Sequence, residues 1–166
     1  RPARARRSTG DAPAATVDGA RVAAADREPQ NWLAHGRTYG EQRYSPLAQV
    51  NDGNVEKLGL AWSFATATTR GLQASPIVVD GTRYTTGTWS VVWALDAKTG
   101  RELWKYDPEV PRAWGRHLCC DAVNRGVAVW KGAVYVGTIA GRLVSLDAKP
   151  GTKRWEVNTR ARTKPY

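Results

Sequence analysis

The sequence predicts an all-β chain, part of a β-propeller, and three observations carry that expectation. From Leu58 onward the apolar runs are short and bounded by turn residues, with no long helical period. Residues 74–104 align without gaps on residues 125–155, an offset of 51, and nine of the 31 positions are identical. Unrelated segments of that length would share about two. Each copy closes on a tryptophan, Trp104 and Trp155, after the shared run Leu-Asp-Ala-Lys at 95–98 and 146–149.

Taken in order, residues 1–16 are rich in Ala, Arg and Pro and read as a disordered basic leader. Residues 17–57 read as an irregular segment with short helices. Within it a helix is expected across Thr16–Asp26, and a turn or short helix across Asn51–Leu58 with Asn54 as its N-cap. The incomplete propeller is expected over 58–166, opening on LGLAWSF at 58–64 as a partial blade. In the first copy the strand-like runs are PIVV, RYTTGT, VVWAL and LWKY; in the second they are VAVW, AVYVGT, RLVSL and RWEV. Asp80-Gly81, Lys131-Gly132 and Gly141 supply turns between them. Four runs per copy is the content of one propeller blade. The Leu-Asp-Ala-Lys-x-Gly stretch reads as the turn into the last strand, and the tryptophan after it as an anchor between neighbouring blades. Trp62 reads as the same anchor from the partial blade. A blade buries its faces only against other blades, and propellers close with about 4–8 of them. Two copies and part of a third are therefore expected to belong to a longer propeller.

Charge narrows the function classes. The formal charge is +10, but residues 1–7 carry +4 and residues 153–166 another +4, so the 145 residues between them carry only +2. Basicity confined to the ends argues against nucleic acid as a partner. No apolar run approaches the ~18 residues of a membrane-spanning helix. No intact secretory signal follows the basic start. The only cysteines are adjacent, Cys119 and Cys120. Neighbouring Cα atoms lie about 3.8 Å apart, short of the ~4.4 Å lower end of ordinary disulfide spacing. From the residues alone the pair reads as two reduced, buried thiols, with a strained ring as the alternative. Adjacent thiols lack the spacing of zinc sites, and His35 and His117 read as structural.

The run CCDAVNRG, Cys119–Gly126, resembles the quinoprotein alcohol dehydrogenases that use pyrroloquinoline quinone. So do Asn31-Trp32, Gly36-Arg37, Tyr44-Ser45, Val50-Asn51, Asn54-Val55 and Leu58 at their spacing, and the stretch Thr86–Arg112. The resemblance covers roughly residues 17–160, and Gly59 departs from it where a basic residue or Gln is usual. It implies an eight-bladed propeller in the parent protein. It also implies a disulfide between Cys119 and Cys120 that packs on one face of the quinone, and an Arg125 that pairs with the cofactor. Gln73 stands where the family has a cofactor-contacting Glu; it keeps a carbonyl acceptor and loses the negative charge. Trp89 is expected either to line the substrate entrance or to pack in the core. The resemblance implies calcium as well, with its ligands, the general base and the Trp beneath the quinone beyond Tyr166, so no catalytic or metal-ligating residue is expected within this chain. The chain lacks a D-x-D-x-D calcium loop and a C-x-x-C-H haem motif. The implied parent is periplasmic, oxidises a primary alcohol to an aldehyde, and passes electrons to a cytochrome c or haem domain. The alternative is a non-catalytic propeller of similar repeats that serves as an interaction scaffold.

Overall fold

Eight strands form two antiparallel sheets of four, each in simple sequential order, in the computed structural model, which describes residues 15–160. The first sheet holds β1 (Ile77–Val79), β2 (Thr82–Thr86), β3 (Val92–Asp96) and β4 (Glu102–Tyr106). The second holds β5 (Ala128–Trp130), β6 (Ala133–Gly137), β7 (Arg142–Asp147) and β8 (Lys153–Asn158). Strand for strand the sheets repeat at the offset read from the sequence. Most of the expected leader, residues 1–14, lies outside the described residues, as do residues 161–166.

Local chemistry sets the turns. β1 and β2 are joined by Asp80 (φ 50°) and Gly81 (φ 78°), and β5 and β6 by Lys131 (φ 47°) and Gly132 (φ 74°). Two left-handed residues in a row match the right-handed twist of a tight hairpin. Between β3 and β4, Asp96 Oδ1 accepts from the backbone N–H groups of Lys98 (3.0 Å) and Thr99 (2.8 Å) and from the Thr99 hydroxyl (2.9 Å). Those bonds, the Thr99 hydroxyl foremost, hold the Asp96 carboxyl below the usual carboxylate range. The Leu-Asp-Ala-Lys turn therefore folds itself.

The main core lies between the sheets. Ile77, Val79, Tyr84, Val92, Ala94 and Trp104 of the first meet Val129, Val134, Val136, Val144 and Leu146 of the second. The opposite face of β3, with Trp93 and Leu95, forms a smaller cluster with Trp62 and Phe64. Trp104 is the junction. Its Nε1–H donates to Ala148 O at 3.0 Å, and its ring fills the space above Gly151, where a Cβ would lie 2.5 Å from it. The Tyr84 hydroxyl donates to the same carbonyl at 3.2 Å, and burial pushes that phenol up to about 12. Trp62 repeats the arrangement one sheet earlier: Nε1–H to Ala97 O at 3.3 Å, with the ring 2.4 Å from the place of a Gly100 Cβ. Trp155 would be the third instance. It leans on Tyr135 as Trp104 leans on Tyr84, ring centroids 5.9 Å apart in both pairs, but stays 43% exposed.

The expected strand at 58–64 does not form. Leu58 and Leu60 are exposed, and no neighbouring strand hydrogen-bonds this stretch among the described residues. Inside–outside alternation survives through Ala61–Thr66, as it does in an extended chain that holds its strand conformation without a ladder.

Ahead of the sheets, α1 (Gly19–Ala23) is capped by Asp18, whose Oδ1 accepts from Arg21 N at 2.8 Å. Asn54 occupies the expected cap position of the short Val55–Lys57 turn, but its Oδ1 accepts from Asn51 N instead. Ala15, assigned by the sequence to the leader, is buried, and its carbonyl accepts from Gly132 N. Val17, Val22 and Leu33 join the core between the sheets, and Trp32 exchanges both backbone hydrogen bonds with Val78. The Arg21 guanidinium clamps Glu28 and Asp80 and holds both carboxyls below their usual range. The N-terminal segment thus spans both sheets.

Gly151 and Gly81 share a left-handed backbone but differ in surroundings: nothing lies within 4 Å of a Cβ at Gly81. Gly81→Ala is expected to cost about 1 kcal/mol through φ alone. Gly151→Ala adds a collision with Trp104 and is expected to cost about 2–4 kcal/mol. Urea unfolding of the two variants checks the difference, and equal costs would contradict the junction.

Candidate functional site

Three loops gather where the two sheets meet: the β2–β3 loop (residues 87–91), the long β4–β5 connection (107–127) and the β6–β7 loop (138–141). The long connection is hydrogen-bonded to the β2–β3 loop, to the end of β2 and to the segment before β1. Trp89 N donates to Ala122 O (2.8 Å), the Thr86 hydroxyl to Asn124 O (3.4 Å), and Ser75 N to Arg125 O (3.1 Å). Gly126 packs so tightly that a Cβ would lie 2.9 Å from Ser75 O, and its φ of 128° belongs to glycine. The Gln73–Pro76 segment and the Asn124–Gly126 segment are therefore fixed side by side.

Cys119 and Cys120 lie in the long connection and are joined as a disulfide across a Cα–Cα distance of 3.8 Å. Both residues are exposed. The reading of two reduced, buried thiols is thus corrected, and the linkage implied by the resemblance is the one present. Isolated spacing favours thiols because a bond between neighbours closes a small ring; here the flanking chain is already bent. Asp121 takes φ 70°, and its Oδ1 accepts from Ala122 N at 2.7 Å and pairs with Arg70.

Arg125 is exposed, and its guanidinium has no acceptor among the described residues. Gln73 is exposed likewise and makes no hydrogen bond among the described residues. Trp89 is half-buried and sits at φ 61°, ψ 21°, a left-handed conformation that is costly for a bulky side chain. It is held there by its bond to Ala122 and by Arg112, whose guanidinium carbon stacks 4.3 Å from the ring centroid. Beside it is a polar recess of about 530 Å³ lined in part by Arg70, Arg112, Arg116, Leu118 and Asp121. Trp89 therefore edges a recess next to the disulfide instead of packing in the core. Among the described residues no hydrogen bond directly joins Gln73, Trp89, the disulfide and Arg125; the backbone bonds Trp89 N to Ala122 O and Ser75 N to Arg125 O tie their segments.

Sequence reading missed the residues that tie these loops. Ser90 is fully buried, and Asn124 bonds to it, to Gly126 and to Gly137. Asn124 at least stands inside the CCDAVNRG run; nothing in Thr88-Trp89-Ser90 signals a turn. Among the described residues, no group of three or more His, Cys, Asp or Glu converges as a metal site would require.

The glucose/ethanol/alcohol dehydrogenase β-propeller domain that uses pyrroloquinoline quinone matches residues 32–156. The chain belongs to this family. Its sequence is 63% identical over 147 residues to quinohemoprotein alcohol dehydrogenase ADH-IIG of Pseudomonas putida, covering 89% of this chain and 20% of that protein. It is 55% identical over 128 residues to the 1-butanol dehydrogenase (cytochrome c) of Thauera butanivorans, covering 77% of this chain and 18% of that protein. The fold superimposes on the solved structure of ADH-IIG with a TM-score of 0.89 at 60% identity, over 92% of this chain and 22% of that one. On a europium-containing methanol dehydrogenase the TM-score is 0.79 at 34% identity, over 86% of this chain and 25% of that one. The chain spans about a fifth of the length of the curated relatives it matches. The two sheets are thus part of this family's propeller. No helix among the described residues is long and apolar enough to cross a membrane.

Denatured chain prepared under oxidising conditions should show no titratable thiol, and two after reduction. Two thiols before reduction would contradict the disulfide.

Proposed function

We propose that this chain builds one wall of a pyrroloquinoline quinone site in a periplasmic enzyme that oxidises primary alcohols to aldehydes. The observation that carries the reading is an exposed disulfide of adjacent cysteines in the same connection as an exposed, unpaired arginine. Both stand on the connection between two blades of this family. An exposed disulfide presents a polarisable, weakly hydrated surface, which suits the face of a flat heterocycle better than it suits water. The guanidinium of Arg125 offers several N–H donors to a carboxylate or quinone oxygen, and pairs formed by such donors are the stronger hydrogen bonds. Gln73 offers an acceptor and two donors without charge. Trp89, braced by Arg112, edges the recess beside the disulfide and keeps water from that side.

Pyrroloquinoline quinone, when bound, supplies the two-electron acceptor for the alcohol. The residues of this wall bind and orient; none of them is placed as the base. Asp121, the nearest carboxylate in the sequence, is tied to Arg70 and to its own turn. In this reading the calcium ligands and the proton acceptor implied by the resemblance belong to other parts of such an enzyme. The relative named as cytochrome c-linked supports a cytochrome or haem domain as the next electron carrier.

A chimera tests this reading. Residues 32–156 exchanged for the matching segment of ADH-IIG should retain dye-linked alcohol oxidation. Arg125→Ala within the chimera should weaken quinone binding about ten- to a hundredfold, the cost of a charge-assisted hydrogen bond. A chimera that folds but binds no quinone, or one indifferent to Arg125→Ala, would contradict it.

A further inference from the structure

Ser90 is a costly residue where it stands. It is 0% exposed and adopts φ 62°, so a polar group is buried in a backbone conformation that serine disfavours. Its oxygen accepts two hydrogen bonds, from Asn124 Nδ2 at 3.2 Å and from Ile139 N at 3.1 Å. Asn124 then spends the rest of its amide: Nδ2 also donates to Gly137 O at 2.9 Å, and Oδ1 accepts from Gly126 N at 3.0 Å. One hydroxyl of the β2–β3 loop thereby grips the β6–β7 loop directly and the β4–β5 connection through Asn124. The last of these bonds, Asn124 Oδ1 to Gly126 N, spans Arg125 itself.

The backbone that presents the guanidinium is therefore restrained on both sides. Its carbonyl is taken by Ser75 N, and the residues on either side are held by the Asn124 side chain. The Arg125 side chain, by contrast, is exposed and unpaired. A rigid base under a free cation is what a preorganised contact needs, because the ordering cost is met before a ligand arrives.

We propose that Ser90 and Asn124 form a polar latch that positions Arg125 toward the quinone without touching it. The inference rests on the reading of Arg125 as a quinone contact. Ser90 and Asn124 are positioning residues, and the latch joins two blades at the site.

The test follows hydrogen exchange in the full 166-residue chain and quinone binding in the chimera with ADH-IIG, which supplies the other walls of the site. Ser90→Ala removes the hydroxyl; Ser90→Gly removes it while suiting the left-handed backbone, so that loss of fold does not obscure the result. Asn124→Asp keeps the acceptor for Gly126 and loses both donor bonds. Three readouts are followed: hydrogen exchange at the Gly126 amide, exchange at the Val144 amide inside β7 as a reference, and titration with pyrroloquinoline quinone by tryptophan fluorescence. Ser90 does not bond to Gly126, so its removal reaches that amide only through Asn124. The latch predicts that both Ser90 variants speed Gly126 exchange about tenfold, leave Val144 unchanged and weaken quinone binding about tenfold. It also predicts that adding Asn124→Asp to Ser90→Gly costs less than Asn124→Asp does alone. Unchanged Gly126 exchange, an equal rise at Val144, or unaltered quinone affinity would each overturn it. If the unmodified chimera folds but binds no quinone, the cofactor reading fails and the positioning role falls with it. Faster Gly126 exchange would then still establish the mechanical tie, so the two failures remain distinguishable.

Discussion

The contact on which everything else in this chain depends is the seating of Trp104 against the β7–β8 turn. A large flat ring, one indole donor and a glycine without a side chain meet there. The donor fixes direction, and the missing Cβ allows the ring to lie against backbone. Because Tyr84 bonds the same carbonyl, the second sheet is registered to the first at one atom, Ala148 O. Once the sheets are so placed, their loops must meet at one end. The wall of the proposed site is a consequence of that docking as much as of its own residues.

The repeat was legible because blade geometry imposes identical demands on each copy. Asp96 and Asp147 fold the same turn, Gly100 and Gly151 make room for the preceding tryptophan, and Tyr84 and Tyr135 back the tryptophan of their own sheet. Such residues recur at fixed spacing and can be read without a structure. The stretch at 58–64 shows the limit of the same reasoning. Its pattern is that of a strand, but pattern reports only which side chains face inward. A ladder needs a neighbour, and the sequence of one strand does not contain its neighbour.

The candidate site was legible in a different way. Cys119, Cys120 and Arg125 stood out through resemblance, whereas the chemistry of adjacent cysteines in isolation pointed to reduced, buried thiols. Ser90 could not have been found, since a serine between Trp89 and Val91 carries no local signal. Its importance comes from residues 34 and 49 positions away, Asn124 and Ile139. Consecutive left-handed residues at Trp89 and Ser90 are likewise invisible to propensity, because tertiary bonds hold them there. What escapes the sequence is thus the part of the site made by the meeting of two blades.

In the proposed enzyme, loops from both sheets converge on one quinone-binding face. Backbone amide shifts of residues 32–156, segmentally labelled within the chimera with ADH-IIG, on addition of pyrroloquinoline quinone would show that convergence. Shifts are expected to concentrate in two segments together, around Gln73–Ser75 and Cys119–Gly126, and to spare β8. Shifts gathered instead on the exposed Trp155 face, or confined to one segment alone, would contradict it.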